Sequence, residues 1–376
     1  MPVKRSSVKV LAFLCLGIST LYLIIACGEG GKITVSTQQY NGPGSKWNIE
    51  LVANGAYQIQ HRPDINSEID MTIIGIYRKH ITGFVSLEVT SSSGNNVPAI
   101  GSTSWALEVP GYAFLLKPFN GDQIVSMIEA GKCPDENIDA NWVVVKKENI
   151  SPDNAGADST SRDFFGTFHF EAATNTPSLP SSYAIAGATA LGPGIIPGTT
   201  SCSSGIMQVT DAAIYLTDNG GAIVHTGTDT ANDESDDSFI FGLSQKAVSN
   251  INNLDGDYAG MLFDQSVSQA GDRIQPITIT CTGGACIARY ISDIVTGQIE
   301  PDTISIYLSG TVDALANGLV TGTVAEGTGP GPGIAELACM IDSSALNTEK
   351  KIISCVGQSP VTGEQSKMIN VIFISK

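Results

Sequence analysis

From Trp47 onward the chain is written in short apolar-rich runs, many alternating apolar and polar residues, separated by turn residues: AYQIQ, MTIIGIY, TGFVSLEVT, SWALEV, YAFLLK and NWVVVK, then FFGTFHFEA, AIYLT and SFIFGL. Side chains of a strand point alternately to its two faces, so runs of this length bounded by Gly, Asn, Asp, Pro and Ser specify strands joined by tight turns. The expected fold class is mainly β, as two antiparallel β-sandwich or barrel-like domains. One short helix is expected in the first: Asp122 as cap, Ile124, Met127 and Ile128 on one face, Gly131 at the end and Pro134 beyond.

The punctuation divides the chain. Residues 1–26 read as a signal peptide, 27–46 as a tether, 47–250 as a β-rich domain with a sub-boundary near 151–161, and 251–376 as a small β-barrel-like domain. SPDNAGADSTS, Ser151 to Ser161, has turn chemistry and no apolar residue larger than Ala; SNINNLDGD, Ser249 to Asp257, marks the second break. About eight strand candidates follow it, enough for a closed barrel, among them TISIYLSG with Ile304, Ile306 and Leu308 on one face. DFFGTF at Asp163 and DYAGML at Asp257, followed by SCSSG and TCTGG, form a faint internal echo.

Formal net charge is −17. Removing Lys4, Arg5 and Lys9 with the signal leaves the mature chain more acidic still, which argues against both nucleic acid and anionic lipid headgroups as partners. With Cys15 in the signal and Cys27 set aside, Cys133, Cys202, Cys281, Cys286, Cys339 and Cys355 remain, an even set that suits an oxidising compartment. Six cysteines allow 15 pairings. Proximity favours Cys281–Cys286 across a TGGA hairpin, with Cys339–Cys355 and Cys133–Cys202 following; a metal or redox pair at Cys281 and Cys286 is the weaker alternative.

Motifs for chemistry are lacking. None of His61, His80, His169 and His225 sits in HExxH, and no nucleophile elbow, phosphate loop or dinucleotide fingerprint occurs. No catalytic residue is assigned, and a non-enzymatic role is expected. The alternative is a secreted-side hydrolase with a site assembled across domains around His169 or His225. The acidic run DTANDESDDS places Asp229, Asp233, Asp236 and Asp237 together, oxygen ligands of the type Ca²⁺ takes; a solvated hairpin tip is the simpler reading, and a calcium-stabilised adhesion module the sharper one. Trp47, Trp105 and Trp142 read as core residues. A C-terminal barrel could hold a small apolar ligand at its mouth.

The N-terminus carries the address. Lys4, Arg5 and Lys9 precede an apolar segment, Val10 to Ala26, of 17 residues, at the short edge of a membrane span. Then come Ile24, Ile25, Ala26 and Cys27, followed by GEGG. This order of charge, apolar segment, box and flexible tether resembles the signal of bacterial lipoproteins. The resemblance implies cleavage before Cys27 and acylation of Cys27 with diacylglyceryl and often palmitate, so that the lipid bilayer is a partner through the acyl chains. It also implies a lipid-anchored place in the cell envelope. Gly28, where inner-membrane lipoproteins often carry Asp, points to the outer membrane of a Gram-negative bacterium. The expected function is a membrane-anchored binding or structural module with a protein or glycan partner.

Overall fold

The structure is a computed structural model that describes residues 37–42, 46–63, 67–119, 124–129, 132–146, 165–183, 190–194, 201–209, 212–226, 239–245, 250–264, 274–311, 318–326, 335–345, 350–358 and 368–376. The chain divides into two compact units, Met1–Val35 and Ser36–Lys376, and the described residues belong to the second. Cys27 and the acidic run with Asp229, Asp233, Asp236 and Asp237 lie outside the described residues.

Eight strands form an up-and-down barrel: β1 (Thr37–Asn41), β2 (Trp47–Val52), β3 (Ala56–His61), β4 (Met71–Lys79), β5 (Phe84–Gly94), β6 (Thr103–Val109), β7 (Ala113–Leu116) and β8 (Val125–Glu129). Each pairs with the next, and β1 meets β8 through Tyr40 with Glu129 and Asn41 with Ile128. Alternation fills the lumen with Tyr40, Ile49, Tyr57, Ile73, Leu87, Phe114 and Met127, among others. In β5 to β8 the opposite face is buried as well, with Phe84, Leu107, Leu115 and Ile128 turned outward into a second core. That is why AFLL in β7 is apolar without alternation.

An open eight-stranded sheet follows, in the order β12-β11-β10-β9-β16-β15-β14-β13. It comprises two four-stranded meanders: β9 (Ile138–Lys146), β10 (Phe165–Glu171), β11 (Thr176–Tyr183) and β12 (Ala190–Gly194), then β13 (Ile206–Val209), β14 (Ala212–Leu216), β15 (Ala222–Thr226) and β16 (Phe239–Ser244). They join where β9 pairs with β16. Trp142, Val143, Val144 and Val145 are all buried, so this central strand is covered on both faces. The core around it also takes outward-facing residues from both barrels, including Leu107 from the first and Met261, Met340 and Ile372 from the second.

The last eight strands close a second up-and-down barrel: β17 (Gly256–Asp264), β18 (Ile274–Thr282), β19 (Ala285–Asp293), β20 (Gln298–Thr311), β21 (Leu319–Glu326), β22 (Ala335–Ala345), β23 (Lys350–Gln358) and β24 (Met368–Ser375). A 3-10 turn, Ile251–Leu254, precedes it; Leu254 is buried in the barrel core, and its carbonyl accepts a hydrogen bond from the Tyr258 hydroxyl. Ile306 and Leu308 face the lumen and Ile304 packs against it, the single face expected of TISIYLSG.

Among the described residues three disulfides occur: Cys133–Cys202, Cys281–Cys286 and Cys339–Cys355. The last two join directly opposite residues of neighbouring strands and lie inside the second barrel.

Two expectations need correction. The expected helix is β8: Met127 faces the lumen and Ile128 the outer core, so two consecutive apolar residues serve two faces of a closing strand, and the helix-like spacing of Ile124, Met127 and Ile128 is incidental. Thr37–Asn41, inside the stretch read as tether, is β1; its QQY pattern is too polar to advertise a strand, yet Tyr40 is buried. The echo carries no structural equivalence, since DFFGTF runs into β10 of the open sheet and DYAGML lies in β17 of a barrel.

Candidate functional site

Odd-numbered strands of the first barrel run toward one end and even-numbered strands away from it. That end opens into a cavity of about 840 Å³ lined by residues at strand termini, among them Trp47, His61, Asp70, Asn95, Val97, Leu116 and Phe119. A barrel of eight strands has little room beyond its own side chains, so a cavity of this size at its mouth is a property of the rim. The register assembles it: Trp47 pairs with His61 across β2 and β3, His61 with Met71 across β3 and β4, and Met71 with Gly94 across β4 and β5.

The polar centre is a fixed pair. His61 Nδ1 lies 2.8 Å from Asp70 Oδ1, both side chains being half-buried. Backbone bonds hold Asp70: its N–H donates to the His61 carbonyl at 3.1 Å and its carbonyl accepts from the Asn95 N–H at 3.2 Å. Gly94 makes this approach possible, because its φ is +110° and a Cβ there would stand 2.0 Å from the Asp70 carbonyl oxygen. On the other side of His61 the Trp47 ring lies tilted, with centroids 4.6 Å apart. A neutral His61 donating through Nδ1 to the carboxylate has its tautomer set, with Nε2 as the acceptor. The result is a recess with a polar His–Asp pair on one wall and Trp47, Leu116, Val125 and Phe119 as apolar surface, the make-up of a small-molecule or side-chain pocket.

Sequence reading missed this site. Trp105 and Trp142 are core residues as expected, but Trp47 is only half-buried and lines the mouth. His61 and Asp70 are nine residues apart and carry no motif; only their positions at the facing ends of adjacent strands bring them together.

The other histidines stand elsewhere. His169 Nδ1 lies 2.8 Å from Asp139 Oδ1 and its Nε2 3.7 Å from Glu171 Oε2, so both ring nitrogens face carboxylates. His225 belongs to β15, opposite Ala213 and Phe239 in the register. His80 Nε2 lies 2.7 Å from Ser86 Oγ at the far end of the first barrel. The second barrel has a mouth cavity of about 560 Å³, with Ile277, Ile306 and Val371 below and Asp264, Tyr290 and Asp302 at the rim. Among the described residues, no cluster of three or more His, Cys, Asp or Glu side chains is placed to hold a metal ion, and no helix is long and apolar enough to cross a membrane.

No protein-family model matches the chain, and no curated protein does. Solved structures similar to it include a double mutant of the vaccine antigen Transferrin Binding Protein B from Haemophilus parasuis Hp5, at 8% identity and a TM-score of 0.27. Another is the isotype 1 Transferrin binding protein B from serogroup B Neisseria meningitidis, at 11% identity and a TM-score of 0.28. Each alignment covers 88% of this chain and 65% of the solved one, so the chain spans under two thirds of the structures it matches.

Proposed function

We propose that the chain is a lipoprotein of the bacterial cell envelope, held by acylated Cys27, that works as a binding module through the mouth of its first barrel. The mouth cavity carries the reading: its His61–Asp70 pair and its Trp47 and Phe119 surfaces converge on one recess at strand ends. A ligand suited to it has a flat or apolar body to lie against Trp47 and Phe119 and a polar end to meet His61. A projecting segment of a protein or glycan partner fits that description. The lipoprotein-like signal supports the anchor, and Gly28 supports an outer-membrane place.

The test has two arms. Wild-type chain purified from envelopes of a Gram-negative host is expected to carry diacylglyceryl on Cys27 by mass spectrometry, and Cys27→Ser to stay unprocessed. In the second arm, immobilised wild type, Trp47→Ala and His61→Ala are probed with a glycan and peptide array. Spots bound by wild type and lost in both variants support the mouth as the site; equal retention by all three chains rejects it.

A further inference from the structure

The second barrel is closed at one end and open at the other. The closed end is the one where β17 begins and the β18–β19 turn lies. There the 3-10 turn Ile251–Leu254 folds against the lumen: Leu254 is buried in the barrel core, and Ile251 packs against that core beside Gly284. The turn is tied to its surroundings by the Gly283 N–H, which donates to the Asp255 carboxylate at 2.6 Å. Above it the lumen is filled by the edge-on rings of Tyr258 and Phe373, with centroids 5.2 Å apart, and by the Cys281–Cys286 bridge. At the other end a cavity of about 560 Å³ remains, with Leu262, Ile277, Ile306, Val324 and Val371, all buried, as its apolar surface. It is a cup with one way in.

Strand alternation decides what stands at the lip. In β20, Ile306 and Leu308 face the lumen and Ile304 packs against it, so Asp302 occupies the next inward position. In β17, Tyr258 and Leu262 face the lumen and Asp264 follows them on the same side; in β19, Cys286 and Ala288 are followed by Tyr290. Asp264, Asp302 and Tyr290 all line the cavity, and among the described residues that line it none is Lys or Arg. Arg289 is exposed on the outer side of β19, in register with Thr278 and Thr303. An apolar cup whose lip carries two carboxylates and no basic side chain favours a ligand with an apolar body and a cationic end. The closed floor adds a polarity: the apolar part enters first and ends in the cup, and the charge stays at the lip, where it need not be buried.

We propose that the second barrel is a binding cup for a lipophilic primary amine. The alkyl tail lies against Leu262, Ile277, Ile306 and Val371, and Asp264 and Asp302 meet the ammonium group at the lip. The Cys281–Cys286 and Cys339–Cys355 bridges brace the wall before the ligand arrives, so little ordering accompanies binding. This site is separate from the mouth of the first barrel and does not depend on the anchor at Cys27.

Full-length chain in phosphatidylcholine nanodiscs is irradiated with decylamine carrying a diazirine near its methyl end, and in parallel with the matching decanoate, and the labelled peptides are identified by mass spectrometry. The amine is expected to label β17, β18, β20 and β24 of the second barrel roughly ten-fold more than the carboxylate does, the size expected when two partly exposed carboxylates attract one probe and repel the other. Asp264→Asn combined with Asp302→Asn should bring the two probes to equal labelling. Should that variant fold poorly, competition on wild type serves instead: unlabelled decylamine should suppress the labelling and decanoate should not. Equal labelling of the wild-type cup by both probes overturns the proposal, as does labelling that falls on the first barrel and spares these four strands. An amine preference that survives in the Asn variant overturns the role of the two carboxylates.

Discussion

The Tyr112 hydroxyl donates a buried hydrogen bond to the Asp342 carboxylate, joining the β6–β7 turn of the first barrel to β22 of the second across 230 residues of sequence. Burial, and next the Asp342 charge, push the Tyr112 hydroxyl far above its ordinary pKa, so it remains a donor throughout the working pH range. Its ring stands edge-on to Phe241 and directly over Gly221, where a Cβ would come 2.3 Å from the ring. Tyr112→Phe keeps the ring and removes the donor. It is expected to cost about 2 kcal/mol, the range for a hydrogen bond to a charged group, read as a lower urea midpoint. Gly221→Ala, which displaces the same ring, should cost at least as much, and the double variant less than the sum of the two.

Glu129 on the closing strand β8 has its pKa raised, first by burial and then by the neighbouring charges of Glu108 and Asp218. A carboxyl with a raised folded-state pKa favours the folded state fully below its ordinary value of 4.5, and that advantage disappears as pH rises through the raised value. Glu129→Gln should therefore raise the melting temperature near neutral pH and lose its advantage in acid. Melting scans across pH check the crossover; a constant difference at all pH values would show that ionisation of Glu129 is not its source.

The three disulfides close loops of different length, with sequence separations of 69 for Cys133–Cys202, 16 for Cys339–Cys355 and 5 for Cys281–Cys286. Loop-closure entropy predicts stabilisation of about 4, 3 and 2 kcal/mol respectively. Paired Cys→Ala variants, measured one bridge at a time by denaturant titration, should follow that order. The two bridges inside the second barrel should also resist thiol reagents until the barrel opens, as their cysteines are 2% exposed or less.

Gly94 is the covalent condition for the mouth. With φ at +110° and the Asp70 carbonyl 2.0 Å from where a Cβ would be, Gly94→Ala has to separate β5 from the β3–β4 connection. A cost of roughly 2–3 kcal/mol is expected. The more telling measurement is the His61 ring signal by NMR, which should shift as its contact with Asp70 is lost, whereas Gly101→Ala, at a glycine of similar φ with nothing within 4 Å, should leave it in place.

Most strands were legible because period-two alternation is a local property, and the lumen of each barrel imposes it on one face of every strand. Where a second face was covered, as in AFLL and WVVV, the strand could still be read but its uniform apolarity does not say what lies on either side. Legibility ended at β8, where five residues satisfy strand and helix spacing alike. The mouth was illegible for another reason. Trp47, His61 and Asp70 meet only through the register of three strands, and no residue in that set is unusual on its own. The proximal cysteine pairs, by contrast, needed only a hairpin to meet.

The strand order has a consequence for how the polypeptide would survive a protease. Barrel, four strands, four strands, barrel is a palindrome in layout, with β12 and β13 at its midpoint and at the two outer edges of the sheet. One cleavage between Gly194 and Ser201 would yield two fragments, each a barrel with its own meander. Cys133 remains with the first and Cys202 with the second, so the bridge between them becomes a covalent splice. Under oxidising conditions such a nicked molecule migrates as one species and keeps the β9·β16 seam paired. Reductant would turn the same molecule into a noncovalent heterodimer, its halves held by the β9·β16 seam, the shared core and the Tyr112–Asp342 bond.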